Sequence, residues 1–571
     1  MLASPYFARS PRLSRFLEFT VAQALAGSAD SLKEYSIGVE VFGRKPSFDP
    51  QADAIVRVTA VTLRSRVSSY FANEGRDDPV LIEFAKGGYA PAIRSRSEAG
   101  RNATPEPAPD SIAVLPFVNM SSDPENEYFS DGLTEELISA LSNVHGLRVV
   151  ARTSVFKYKG KAADARQIGS DLNARMVLEG SVRKAGDRLR ITAQLIDALN
   201  GYHTWSRSYR VEMTDLFSVQ QEIASAIAST LRGGDERRLK WGSANLDAYH
   251  SYLKGRFYLN KWTAEGFQRS IEFFEAAIRQ EPEMAAAYSG LADARFVLAC
   301  YGQSDPRDLM PKAREAAERA MELGSSLAEP HISLGAVRAI YDWDWQGAED
   351  EFLHALQLDP DCATAYQWYG MLCLLPQGRL QEAEAAIQRA RELDPLSPPI
   401  NTSLGLLYFV QGRHDDAIEY FEKALEIDAK FYLAHWWLGT IYLQRSMMFM
   451  ALKAFRKAGV LTSAREPDVA GFSYQEALIG KSGKARQVLD HLMRLSRQQY
   501  VSPVMIAAVQ VALGEKEAAF RWLRKAQRDH DAWVAWLGAD HRFDELRPDK
   551  RFTALLNKLR IGEIPRVSRT R

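Results

Sequence analysis

In the second half of the chain, small residues recur at Ser270, Ala313, Ala348, Ala383, Ala417, Ala451, Ala485 and Ala519, with gaps of 43, 35, 35, 34, 34, 34 and 34. Seven residues after each, two helical turns on, comes Ala277, Ala320, Ala355, Ala390, Ala424, Ala458, Leu492 or Ala526. Upstream of these pairs runs a further series, Ala292, Gly335, Gly370, Gly405 and Gly439, where a larger side chain would keep a second helix away. Each unit is therefore predicted to be a helical hairpin stacked on its neighbours. The longer first gap places an inter-helix insertion at YGQSDPRDL, residues 301–309, and the last two units depart most from the pattern.

The first hundred residues follow a different pattern. SRFLEFTVAQALAG predicts an amphipathic helix with Phe16, Phe19, Val21 and Leu25 available for a core and Gly27 at its end. SLKEYSIGVEVFG predicts a shorter helix, and FDPQADAIVRVTAVTLRSRVSSYFANEG a third that begins near Asp49 or Asp53. VLIEF and YAPAI read as two strands around AKGG, with Gly87 and Gly88 supplying the turn. On the third helix Val56, Ala60, Leu63, Val67 and Tyr70 share one face at helical spacing and are expected to be buried. Arg57 and Arg64 then share one flank, with Arg66, Thr59 and Thr62 on the other.

Between these parts, strand and helix patterns alternate. SIAVLPF is a short apolar strand, SDGLTEELISAL a helix with Ser130 or Asp131 as its cap and Glu135 and Glu136 in its first turn, and LRVVA a second strand. DARQIGSDLNA predicts another helix. Leu189, Ile191, Ala193 and Leu195 alternate with Arg188, Arg190, Thr192 and Gln194, as in a half-buried strand. Asn200-Gly201 marks a hairpin before HTWSRSYRV, and Leu216, Val219, Ile223, Ile227 and Leu231 form the stripe of a last helix. Asp123, Glu125 and Asn126 lack any regular ligand spacing and read as loop solvation.

Composition refines this picture in a few places. The 571 residues are enough for two or three cores, and 46% apolar with 25% charged side chains is ordinary for a soluble globular chain. The 72 basic and 72 acidic residues balance, so a basic footprint for nucleic acid must be local. Residues 1–96 hold 13 Lys+Arg against 10 Asp+Glu, a modest net of +3. The three cysteines, Cys300, Cys362 and Cys373, show no paired ligand spacing, which points to a reducing compartment. The N-terminus lacks an uninterrupted apolar stretch, and the nearest thing to a spanning helix is LGLLYFV at 404–410, so a cytoplasmic location is expected.

Three resemblances follow from these residues. The 34-residue period, with Phe352, Phe421 and Phe455 at its aromatic position, Tyr408 and Tyr442 in the first helix and Pro360 or Pro395 after the second, resembles the tetratricopeptide repeat. That family implies a superhelix whose concave face holds a peptide or another protein. LKEYSIGVEVFGR, FDPQADAIVRV, LRSRV and KGGYAP resemble the response-regulator-type winged helix-turn-helix of bacterial transcriptional regulators, although Ala85 stands where such wings often carry proline. IAVLPF, YFSDGLTEEL, LEGSVRKAGDRLRITAQLIDA and GYHTWSRSY resemble the TolB-like amino-terminal module that precedes such repeats in bacterial regulators and cyclase-associated proteins. The expected molecule is multidomain and mainly α, with a winged helix-turn-helix head at 1–96, a linker at 97–110, a TolB-like α/β module at 111–232 and an α-solenoid of tetratricopeptide repeats at 245–562.

The motifs of common chemistries are missing: H-E-x-x-H, the phosphate-binding G-x-x-x-x-G-K-[ST], the dinucleotide fingerprint and the G-x-S-x-G elbow do not occur. Glu135 and Glu136 point to different sides of a helix, and Asp342 and Asp344 are expected at a repeat turn. No catalytic residue, cofactor or metal is therefore expected. The resemblance implies signal-responsive DNA binding by Arg57, Thr59, Thr62, Arg64, Arg66 and Lys86, the last at the wing tip near a minor-groove phosphate. The expected partners are duplex DNA and a protein or peptide in the repeat groove, with no membrane. The rival is a non-DNA-binding scaffold or adaptor in bacterial signalling, whose arginines are solvated helix charges.

Overall fold

Val56, Ala60, Leu63, Val67 and Tyr70 do form the buried stripe of the third helix, at 0, 4, 1, 3 and 6% exposure, and the core of the N-terminal unit is built against it. In this computed structural model the helices are α1 (Pro11–Leu25), α2 (Glu34–Glu40) and α3 (Ile55–Ala72). The strands β1 (Val80–Phe84) and β2 (Pro91–Ser95) pair antiparallel, from Val80 opposite Ser95 to Phe84 opposite Pro91. Residues 3, 5, 6, 8, 9, 27–31, 46, 47, 50–54, 73, 76, 77, 85–87, 96–109, 122, 124, 125, 143, 145, 162, 187, 213–215, 233–244, 301–303, 462–481, 563 and 565–571 are not described. Gly27, Asp53, Ala85, Lys86, Gly87 and Glu125 lie among those. One correction concerns the described part of this unit. Leu25, expected in the core, is 73% exposed because it sits in the last turn of α1, and Leu13 and Leu17 join Phe16 inside instead. The start of the third helix, expected near Asp49 or Asp53, lies outside the described residues, and the first described helical residue is Ile55.

The chain divides into two compact units, 1–106 and 107–571. The second begins with a six-stranded sheet. Its strands are β3 (Ser111–Val114), β4 (Val118–Asn119), β5 (Arg148–Val149), β6 (Met176–Ala185), β7 (Arg188–Asp197) and β8 (His203–Glu212). Their order is β5-β3-β6-β7-β8, with β4 also on β6; β3 runs parallel to β5 and β6, and β6, β7 and β8 are antiparallel. The predicted alternation on β7 is real: Leu189, Ile191, Ala193 and Leu195 are buried on one face. The helices Glu127–Ser142 and Leu216–Arg232 cover that face, while Arg152–Phe156 and Ala165–Leu172 pack on Ala113 and Val177 of the other. Ser130 and Asp131 do not cap the first of these helices. It starts three residues earlier, because Phe129 is drawn into the core, and both residues are buried inside it.

The solenoid keeps the pattern in full at the helix crossings. All eight small residues from Ser270 to Ala519, and all eight partners from Ala277 to Ala526, are at most 1% exposed. The glycines of the first helices meet large side chains of the second: a Cβ on Gly405 would stand 2.5 Å from the Phe421 ring, one on Gly439 2.6 Å from Phe455, and one on Gly370 2.6 Å from Ile387. Such contacts hold paired helices closer than bulkier residues would permit.

The C-terminal end returns to the middle of the solenoid. Trp345 Nε1 donates to Leu559 O at 2.9 Å, and Gly562 N to Pro376 O at 2.9 Å. A Cβ at Gly562 would lie 2.2 Å from Gln377 O, so only glycine permits this crossing. The first helices of the third and fourth repeats end in π turns, Arg338–Asp342 and Tyr369–Leu374. Both turns offer carbonyls to the returning chain: Tyr341 O takes His530 Nδ1 at 2.7 Å, and Met371 O takes Trp536 Nε1 at 3.4 Å. Asp342 and Asp344 do sit at a repeat turn, where Asp344 caps the next helix by accepting from Gly347 N. Replacing Gly405 with alanine should crowd Phe421 and lower stability by about 1–3 kcal/mol, read as a lower urea midpoint by tryptophan fluorescence.

Candidate nucleic-acid interface and solenoid groove

The six residues expected to meet DNA divide into two groups. Thr59 spends its hydroxyl on its own helix, donating to Ile55 O at 2.6 Å. Arg64 is half-buried and its Nη2 donates to Gly88 O at 3.0 Å, so it ties α3 to the hairpin. Arg57 pairs through Nε with Glu34 of α2 at 3.2 Å, yet half of its side chain, 50%, remains exposed against 18% for Glu34. Thr62 is exposed and Arg66 half-buried. Lys86 lies outside the described residues. Burial raises the Tyr89 phenol above its ordinary value, and the Glu34 carboxylate adds to the effect. Among the described polar side chains of α3, Thr62 and parts of Arg57 and Arg66 face outward, whereas Thr59 bonds within its own helix and Arg64 ties the helix to the hairpin.

In the second unit, the groove expected on the concave face is shared. The α/β module sits against the first repeats, with Glu135 as the joint: it accepts from Arg152 Nε at 2.5 Å, Arg256 Nε at 3.2 Å and Asn260 Nδ2 at 3.0 Å. Burial pushes the Glu135 carboxyl up, but the two guanidiniums overcome it and hold the group below its ordinary value. Farther along, Ser154 donates to Asp394 Oδ1 at 2.5 Å and Thr153 to the other oxygen, while Leu396 N donates back to Ser154 Oγ at 3.2 Å. Between the two contacts lies a cavity of about 490 Å³, faced by Arg152, Asn173, Arg256, Asp293, Glu329 and Asp394 among others. Burial pushes Asp394 up to about 7, Glu136 to about 7 and Asp293 to about 6, in each case against nearby guanidinium charge.

A second cavity, about 190 Å³, is bounded by the first helices and the returning C-terminal chain. It is almost wholly apolar, with Trp262, Phe409, Phe431, Trp437, Trp533 and Trp536 in its walls. Sequence reasoning missed both cavities and the Glu135 joint, because their walls come from segments more than a hundred residues apart.

Residues 108–226 match the family model for the second domain of HilA/YgeH-like transcriptional regulators, and 336–398, 374–430 and 402–459 match a tetratricopeptide repeat. The chain carries that regulator domain and these repeats. Over 342 residues it is 33% identical to a Rhizobium meliloti protein named "Putative adenylate cyclase 3", a match that takes in 55% of this chain and only 56% of that one. It is 24% identical over 462 residues to the transcriptional regulator HilA of Salmonella typhimurium, covering 78% and 79% of the two. A human IFIT1 dimer with PPP-AAAA aligns at 14% identity and a TM-score of 0.38, over 71% of this chain and 86% of that one. Among the described residues, no helix is long and apolar enough to cross a membrane.

Two tests address the joint. Glu135→Gln leaves two guanidiniums without their counter-charge and should cost about 3–5 kcal/mol, seen as early release of the α/β module in urea. For Asp394 the folded-state value lies above the unfolded one, so its contribution is present in full below about pH 4 and is lost as pH rises through about 7. Asp394→Asn cannot ionise, and its urea midpoint relative to the unaltered chain should climb between those pH values and then level off.

Proposed function

We propose that this chain is a DNA-binding transcriptional regulator of the bacterial cytoplasm whose repeat solenoid receives a protein or peptide partner. The observation that carries the reading is the order of parts: three helices and a hairpin, then the HilA/YgeH-like second domain, then tetratricopeptide repeats. The head is read as a winged helix-turn-helix, with α3 as its recognition helix and the β1–β2 hairpin as its wing. On that reading Arg57, Thr62, Arg66 and Lys86 meet the duplex, while Arg64 keeps α3 in place against the hairpin and Thr59 stays bonded within its own helix. Arg57 pairs with Glu34 at 3.2 Å, and a phosphate would compete for the same guanidinium.

The middle module, read as TolB-like in fold, couples the head to the solenoid, and no residue is assigned a catalytic role. The partner enters the part of the concave face that the module and the C-terminal chain leave open, beside Trp437 and Phe409. Contact between the module and the solenoid at Glu135 and Asp394 gives a route by which a bound partner acts on the rest of the unit.

Salt dependence tests the DNA reading. The full chain should bind duplex DNA with an affinity that falls steeply as salt rises, and Arg57→Ala with Arg66→Ala should flatten the slope by about 0.9 for each phosphate no longer neutralised. A chain that binds no duplex at low salt, or two variants with an unchanged slope, would make it a scaffold instead. Selection from sheared genomic DNA would then enrich no fragment.

A further inference from the structure

The register of the long hairpins puts three arginines side by side. Arg190 on β7 stands directly opposite Arg183 on β6 and, on its other side, directly opposite Arg210 on β8. All three are exposed, on the face opposite the one that buries Val182, Ile191 and Tyr209. With strands about 4.8 Å apart, the row crosses the sheet as a straight line of guanidinium stems about 10 Å long. Arg188 lies two residues along on the same face.

Like charges directly opposite one another across a sheet are destabilising. Proteins normally relieve such a row with carboxylates, and this face has two, Glu179 and Glu212. Among the described residues neither forms an ion pair with Arg183, Arg188, Arg190 or Arg210; Asp187, in the β6–β7 turn, lies outside them. What the arginines do contact is neutral. Arg183 Nε donates to Met120 O at 3.2 Å, and Arg190 Nε lies 3.5 Å from Ser208 Oγ. Next to the row runs a second one made only of hydroxyls, Ser181, Thr192 and Ser208, with Thr192 and Ser208 3.3 Å apart.

We propose that this outer sheet face is a second nucleic-acid surface, which grips the phosphates of a duplex through Arg183, Arg190 and Arg210, with Arg188 at its margin. A row of guanidiniums offers forked donors matched to phosphate oxygens, and hydroxyls are common neutral partners of the same oxygens. The face is open and lines neither cavity, so it does not enclose a single small anion and suits an extended one. Exposed apolar groups near it are Val118 and Met120 at the β4 edge, too few to anchor the module in a lipid surface. The inference stands on the sheet and is independent of the reading of the head.

The test uses the full chain and a short random-sequence duplex, followed by fluorescence anisotropy across a salt series. Three proteins are compared: unaltered, R183A/R190A/R210A, and R57A/R66A. The sheet variant should weaken binding at least tenfold near 0.1 M salt and flatten the log–log salt slope by about 2.7, at about 0.9 for each of the three phosphates released. Its melting temperature should hold or rise, because alanines remove a repulsion, which separates a weakened grip from a damaged fold. Unchanged affinity and slope in the sheet variant, with weaker binding by the head variant, overturns this surface and leaves the head reading standing. The converse result keeps the surface and removes the head. Absence of duplex binding by the unaltered chain overturns both. A sheet variant that fails only to bind phosphatidylserine vesicles would reassign the row to lipid and overturn the proposal.

Discussion

Close helix approach is the constraint on which the larger unit depends. Where Gly405 faces Phe421 and Gly439 faces Phe455, the ring of one helix packs directly on the bare backbone of the other, and the buried alanines at each crossing leave only a small gap. Repeating that contact every 34 residues turns a row of hairpins into a superhelix with a concave side. The first helices carry that side, and their exposed positions decide what can lie there. In this chain two of the occupants come from the chain itself.

One is the α/β module, held by a buried carboxylate between two arginines. An ion pair of this kind gives little net stability over an apolar contact, but breaking it by half leaves an uncompensated charge. Glu135 therefore acts more as a registration point than as glue, and the raised Glu136 beside it, Asp293, and Asp394 at the farther contact soften the module's seat as pH rises. The other occupant is the C-terminal chain, which needs Gly562 to pass Gln377 and uses the carbonyls freed by two π turns. A groove filled in this way keeps a smaller and more aromatic opening than a bare solenoid would.

The elements that repeat or alternate were legible from the amino acids alone, because period 34, period 3.6 and period 2 are properties of neighbours in sequence. The stripe of α3, the face of β7 and every crossing alanine fall in this class. The start of the Glu127–Ser142 helix was misjudged because Ser130 and Asp131 have the chemistry of a cap, while burial of Phe129 extends the helix past them. The return of the chain end could not be read, since Trp345 and Leu559 are 214 residues apart and no local pattern marks the pair. The arginine row is intermediate. Alternation showed that Arg188 and Arg190 face outward, but their neighbours across the sheet depend on hairpin register, which no single strand encodes.

The two sets of arginines differ in what they do before any partner arrives. Arg57 and Arg64 already hold the head together, one through Glu34 and the other through the Gly88 carbonyl, so an incoming phosphate must displace or share those contacts. Arg183, Arg190 and Arg210 stand opposite one another and gain by meeting an anion, since it relieves their mutual repulsion. With 72 charges of each sign, the chain as a whole has little long-range field with which to draw in a polyanion. Any grip on nucleic acid must then be local, made at short range by a few guanidiniums, and for that reason sensitive to salt.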